Sequence, residues 1–310
     1  MARVAVTGGT GFVGANLVRR LRHDGHEVHL LVRPGHHRWR LEDVADDLHW
    51  REVDLGARDE LADLVHVMAP DQVFHLAAHG AYSWQTDERA IFATNVVATD
   101  HLVAACRRAE VPVLVHTGSS SEYGAVDHAP GEDEAPHPNS YYALTKSWAS
   151  LAVQHAGYTS LRLYSVYGPW EDPRRLVATL VEHGLEGRLP PLADPATARD
   201  FVHVDDVVDA LVSAAARPAV AGGRIYNVGT GVQTLLRDAV AVARATFAIE
   251  AEPAWSTLTP RSWDTDVWVA DPRRIAAELG WRPTTTFADG FARTVAWQRE
   301  LAGRSEVVEP

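Results

Sequence analysis

Short apolar runs alternate with longer stretches in which apolar residues recur every three or four positions through the first half of the chain. Residues 3–7, Arg-Val-Ala-Val-Thr, have strand character, and residues 15–22 put Leu17, Val18 and Leu21 on one helical face. Further strands are predicted at 27–32, 48–53, 72–76 and 111–116, with helices at 57–68 and 87–109 between them. Strands and helices alternating at this length imply a parallel sheet covered on both faces, with crossovers of one hand. The expected fold class is doubly wound α/β. Beyond residue 168 the regularity fades. Proline and glycine thicken at Gly168-Pro169, Pro173, Pro190-Pro191, Pro218 and Gly222-Gly223, which reads as loops and short elements over the carboxyl edge of the sheet, where ligands of open α/β folds sit.

The turn between the first strand and the first helix is Thr7-Gly-Gly-Thr-Gly-Phe-Val-Gly14. Gly8 permits the sharp reversal, Gly11 lets the backbone close on a pyrophosphate, and Gly14 lets the helix pack tightly on the sheet. The N–H groups at the helix start, among them those of Phe12 and Val13, lack partners within the helix, and the helix dipole favours a negative guest. Glycines alone also make an empty tight turn. Strand, turn, helix and second strand in order favour a dinucleotide.

A second pattern begins at His137-Pro-Asn-Ser140. Ser140 is placed to cap a helix in which Tyr141, Leu144, Trp148 and Leu151 recur on helical spacing, and Tyr142 and Lys146 fall four apart on one face. A phenol near an ammonium and a positively charged nicotinamide is favoured as phenolate, fit to exchange a proton with a hydroxyl or carbonyl while hydride moves. Tyr-x-x-x-Lys is common by chance. Upstream, though, the strand 111–116 runs into Thr117-Gly-Ser-Ser-Ser-Glu-Tyr-Gly124, and a serine there can hydrogen-bond the oxygen whose charge changes.

Composition narrows the class. With 29 Lys and Arg against 41 Asp and Glu, a net charge of -12 is the reverse of a nucleic-acid binder's footprint, so an anionic substrate would need local arginines. The single cysteine, Cys106, permits no intrachain disulfide, and its apolar surroundings read as core. No apolar run reaches membrane-spanning length, and the expectation is a cytoplasmic protein without membrane or nucleic-acid partners. No histidine pair shows trustworthy ligand spacing, so no metal is expected.

These pieces, with Asp54-Leu55, His75-Leu-Ala-Ala78, Asn95, Arg162-Leu-Tyr-Ser-Val-Tyr-Gly-Pro169, Arg199-Asp-Phe-Val-His-Val-Asp-Asp206, Tyr226-Asn-Val-Gly229, Arg261 and Gly280-Trp-Arg-Pro283, resemble the extended short-chain dehydrogenase/reductases, in their nucleotide-sugar epimerase, dehydratase and reductase branch. The resemblance implies a Rossmann domain over residues 1–168 with a return segment near 200–230, and a smaller C-terminal α+β part, mainly 169–310, holding a nucleotide-diphosphate sugar. It implies Ser119, Tyr142 and Lys146 as the catalytic trio, the last two also touching cofactor. Asp54 and Leu55 would contact adenine, and Leu76, Ala77 and Ala78 would line the cofactor's path. Arg199 and Arg261 match the family's substrate arginines, and Ser119 and Tyr142 would meet the sugar as well. Relatives commonly pair through the helices near 87–109 and 140–156, so a homodimer is expected.

Two finer expectations follow. Val32 is followed by Arg33 where NAD-selective members end the second strand with an acid, and a guanidinium suits a 2′-phosphate, so NADP(H) is expected over NAD(H). Ser120 and Ser121 stand where the 4,6-dehydratases of the family place acids, which disfavours dehydration, although a loop could bring Glu122 back. The expected reaction is then NADPH-dependent reduction of an NDP-4-keto-6-deoxyhexose, with NDP-sugar 4-epimerisation on bound NAD as the alternative and a non-catalytic dinucleotide sensor as the reading from another class. Ser165 departs from the family's usual asparagine and stays outside the expected sites.

Overall fold

The computed structural model of the protein describes residues 1–258 and 265–306. Its centre is a seven-stranded parallel sheet. The chain enters through β1 (Arg3–Thr7), α1 (Phe12–His23), β2 (Glu27–Val32), β3 (His49–Glu52), α2 (Arg58–Met68) and β4 (Gln72–His75). It continues through α3 (Glu88–Phe92), α4 (Ala98–Arg108), β5 (Val113–Ser119), α5 (Tyr141–His155) and β6 (Thr159–Leu163). The strand order β3-β2-β1-β4-β5-β6 reverses direction between β1 and β4, which opens the ligand crevice at the carboxyl ends of those two strands. The outermost strand, β10 (Ile225–Val228), comes from the second half of the chain and pairs with β6.

Alternation along each buried strand sorts its side chains to opposite faces. Val4, Val6, Phe74 and Val115 face α1 and α7 (Val204–Ala216), whereas Ala5, Val73 and Leu114 face the layer of α2, α4 and α5. The second half adds β7 (Ser165–Tyr167) paired in parallel with β9 (Phe201–His203), β8 (Ala198–Arg199) paired antiparallel with Thr234–Leu235, and a separate apolar core in which α6 (Leu176–Leu185) meets the helices Leu236–Phe247 and Phe287–Glu306. Two buried carboxylates tie loops to this part. Asp200 accepts from Thr230, Gly231 and Ala270, and Asp206 from Thr284 and Thr285. Two acids of the Arg199–Asp206 motif therefore hold loops in place.

Three elements differ from the sequence reading. The helix expected at 87–109 is broken by a π-helical turn, Ala93–Val97, where Asn95 is buried and bonds both backbone groups of His79. β5 extends three residues past 116, so Ser119 is the last residue of the strand instead of lying in the loop beyond it. A 3-10 helix, Trp39–Asp47, fills a stretch for which no element was predicted.

Candidate active site

At the switch point the glycine turn has the expected form. Gly8 sits at φ +67°, and a Cβ there would lie 2.5 Å from the Ala77 nitrogen, so the turn presses directly on the end of β4. A Cβ on Gly14 would meet the Gly8 oxygen at 2.2 Å; its close approach is to the turn itself. Gly11 is the N-cap of α1, and no side chain caps that terminus. A Cβ on Gly11 would meet only the Gly8 oxygen, at 3.2 Å, leaving the space in front of the first helical N–H groups open. These features fit a dinucleotide pyrophosphate. Leu76, Ala77, Leu55, Phe12 and Val13 are partly exposed around the crevice and Ala78 and Asp54 more so; the Asp54 carboxylate receives the Gly56 N–H at 2.8 Å. Arg33 is exposed just past β2.

Ser119, Tyr142 and Lys146 come together from β5 and α5. Ser140 caps α5 through the Ala143 N–H, 3.1 Å away, which starts the helix where Tyr142 and Lys146 face the crevice side of β5. Burial pushes the Tyr142 phenol up to about 12 against the lowering influence of the nearby Ser119, whose own hydroxyl is hydrogen-bonded to that of Ser121 at 2.7 Å. Lys146 is 2% exposed, and burial pulls its ammonium down to about 8 against the opposing charge of Glu122. Its Nζ is engaged 3.0 Å away by His116 Nε2, and burial dominates at Tyr142.

Glu122 also has a definite place. It is fully buried, accepts from the Ser119 N–H and the Ser150 hydroxyl at 2.8 Å each, and pairs with Arg162 at 2.8 Å. Together with the Ser119 hydroxyl it forms a capping box on the short 3-10 turn Ser120–Tyr123. Both of its carboxylate oxygens are thus engaged by groups of the protein itself.

Of the two expected substrate arginines, Arg199 lies on β8, partly exposed, with its guanidinium near the Trp268 ring and its Nη1 donating to the Ala198 carbonyl. Arg261 lies outside the described residues. The sequence reading did not single out Arg175 and Tyr82, whose electrostatic influence reaches Tyr142, nor Glu171, whose buried carboxyl is pushed up to about 7 beside Arg175. These sit in loops with no spacing signature. Away from the crevice, strand pairing sets His29 beside His49, with Glu27 near both, at the opposite end of the sheet. No linear spacing could show that grouping of metal-capable side chains, and it has no part in the crevice.

A sequence model of the NAD dependent epimerase/dehydratase family matches residues 4–229. The chain belongs to this family. The UDP-glucose 4-epimerase of Mycolicibacterium smegmatis is 35% identical over 96% of this chain and 98% of its own length. The dTDP-glucose 4,6-dehydratase of Streptomyces griseus is 30% identical over 94% and 92%. Among solved structures, MoeE5 in complex with UDP-glucuronic acid and NAD has a TM-score of 0.84 at 30% identity, covering 96% of this chain and 99% of that one. The Thermotoga maritima UDP-glucose 4-epimerase with UDP-glucose has a TM-score of 0.87 at 25% identity, covering 97% and 99%. The protein is thus an enzyme of the extended short-chain dehydrogenase/reductase type, with a Rossmann sheet and a further C-terminal part. Among the described residues, no helix of this family member is long and apolar enough to cross a membrane.

Proposed function

We propose that the protein is a nucleotide-diphosphate-sugar 4-epimerase that keeps NAD bound, with Ser119, Tyr142 and Lys146 as its catalytic groups. The observation that carries this reading is the convergence of Ser119, at the end of β5, with Tyr142 and a buried Lys146 on α5, combined with a Glu122 locked into Arg162. Bound NAD would supply the hydride acceptor and a positive ring that favours the phenolate. Tyr142 would take the C4 hydroxyl proton as C4 gives up its hydride, with Ser119 steadying the oxygen, and the same groups would return the proton as the hydride is restored to the opposite face of the rotated keto sugar. Elimination across C5 and C6 needs a further acid and base, and Ser120 and Ser121 supply neither. Gly8, Gly11, Phe12, Val13 and Gly14 would hold the pyrophosphate, Asp54 and Leu55 the adenosine end, and Leu76, Ala77 and Ala78 the path between. Arg199 and Arg261 are the proposed diphosphate ligands. The relatives that bind UDP-glucose and UDP-glucuronic acid make these two the substrates to try first.

The same reading takes residues 1–168 with the 200–230 return as the cofactor part, the rest mainly as the sugar part, and the cytoplasm as the location. It also includes a homodimer. On α5, Leu144, Trp148 and Leu151 are 54%, 40% and 46% exposed at helical spacing, and Phe92 is exposed on α3, which packs against α5. The large apolar residues of α5 thus face outward while Ala143, Ala149 and Val153 face the sheet, a stripe suited to the same helices of a second copy.

Arg33 favours a second reading, the NADPH-dependent 4-keto reductase, because an exposed guanidinium past β2 suits a 2′-phosphate. Product analysis of UDP-glucose, UDP-glucuronic acid and an NDP-4-keto-6-deoxyhexose, each with and without NADPH or NADH, separates the two. Epimer formation without added reductant supports the epimerase. Product formed solely from the keto sugar, with stoichiometric NADPH consumption, replaces it by the reductase. Turnover surviving Tyr142→Phe would remove both.

A further inference from the structure

Four neighbouring strands present polar side chains in one row on the face covered by α4 and α5. In register across β1, β4, β5 and β6 stand Thr7, His75, His116 and Ser160. The His75 ring is held between the Thr7 hydroxyl at 2.7 Å and the Thr99 hydroxyl of α4 at 2.9 Å. His116 is held between Ser160 Oγ at 2.9 Å, on its Nδ1, and Lys146 Nζ at 3.0 Å, on its Nε2. Every member is buried.

Proton accounting fixes the direction of the second set. The Glu122 carboxylate can only accept, so the one proton of the Ser150 hydroxyl goes to it, over 2.8 Å. Ser150 Oγ must then accept from Ser160 Oγ, 3.0 Å away, which spends the Ser160 proton. Ser160 is left to accept from His116 Nδ1–H. The imidazole is neutral, because burial and then the Lys146 charge lower its pKa well below the ordinary value. With the proton on Nδ1, Nε2 carries a lone pair, and that lone pair faces the ammonium.

We infer that His116 is a positioning residue for the reaction: its Nε2, set as an acceptor by the Glu122–Ser150–Ser160 chain, holds the Lys146 ammonium at its place on α5 below Tyr142. An ammonium has three N–H donors. One is spent on His116, and two remain for the crevice side. The assignment rests on the oxidoreductase reading of the trio, in which a cationic Lys146 supports proton transfer at Tyr142. The charged and titratable groups around Lys146 are few: Glu122 with its partner Arg162 behind Ser150, His116 and His75 from the sheet, and Tyr142 one turn earlier on α5. Of these, His116 is the one whose hydrogen bond to Nζ the structure contains.

His116→Phe removes the acceptor while keeping a buried ring; His116→Gln keeps an acceptor. In holoenzyme with its nucleotide sugar, His116→Phe is expected to lower kcat about tenfold or more with KM within about twofold, and His116→Gln to recover most of the loss. In the cofactor-free protein, NMR titration of the 13C-labelled Lys146 ε-carbon reads the charge directly. Its midpoint, near 8 in the natural chain, is expected to fall by about one pH unit in His116→Phe, since the charged form loses its acceptor. Should His116→Phe fail to fold, Ser160→Ala, which frees the imidazole tautomer, is expected to move both readouts in the same direction. A Lys146 midpoint and a kcat unchanged in the folded variant would overturn the assignment. Absence of turnover in the natural chain would count against the oxidoreductase reading alone, because the titration still tests His116.

Discussion

Glu122 and Arg162 form an ion pair 2.8 Å long in which the side chains are 0% and 1% exposed. The guanidinium also stacks on the Tyr123 ring at 4.5 Å, and Tyr123 in turn donates its hydroxyl to Asn227 of β10. Burial acts to lower the Arg162 pKa, but Glu122 and Tyr123 together more than offset it and leave it raised. The pair is therefore a joint between the 3-10 turn after β5 and the β6–β10 edge of the sheet. Arg162→Met should leave a carboxylate buried without its counter-charge and cost about 3–5 kcal/mol in chemical denaturation. Adding Glu122→Gln should recover a large part of that loss; strict additivity in this cycle would show the two side chains to be uncoupled.

Lys146 is expected to set the alkaline limit of activity. Its pKa is held down to about 8 by burial, so the ammonium is present below that pH and is lost as pH rises through it. Turnover that needs the cation should fall on the alkaline side with an apparent pKa near 8. In Lys146→Arg, whose guanidinium stays charged, any residual activity should lack that limb. A natural chain with a flat rate up to pH 10 would exclude a role for the charge.

The glycines divide by what surrounds them. Gly14→Ala would drive a Cβ to 2.2 Å from the Gly8 oxygen, and we expect it to abolish dinucleotide binding and to lower the melting temperature. Gly25→Ala meets nothing within 4 Å and pays solely for its φ of +79°, a cost of about 1 kcal/mol that should leave cofactor affinity unchanged. Equilibrium binding of NAD by both variants, measured alongside thermal unfolding, distinguishes a shaped cradle from an incidental turn.

Trp148→Glu places a charge in the outward apolar stripe of α5, where the side chain is already 40% exposed. A dimer closed by this face should dissociate, with the mass from light scattering halving while the far-UV spectrum is kept. An unchanged dimer would move the interface elsewhere.

What could be read from the sequence was what short stretches encode. The turn needs glycine at 8 for its φ of +67° and at 14 because a Cβ there would strike the Gly8 oxygen, and those two constraints are local, although the end of β4 presses on Gly8 as well. The four-residue step from Tyr142 to Lys146 likewise stacks the two on a helix wherever the helix lies. Alternation of strands and helices fixed the class of sheet through burial on both faces. Periodicity found the apolar stripe of α5, but which way a helix turns depends on its neighbours: against β5 and β6 the small residues pack, and Leu144, Trp148 and Leu151 are left outside. Glu122 could be placed by sequence only as near Ser119, because one step of backbone decides whether a carboxylate meets the crevice or Arg162. His116 read as one more residue of a buried strand. Its contacts with Lys146 and Ser160 exist because β5 lies in register with β6 beneath α5, which joins residues 30 and 44 positions apart that no local pattern connects.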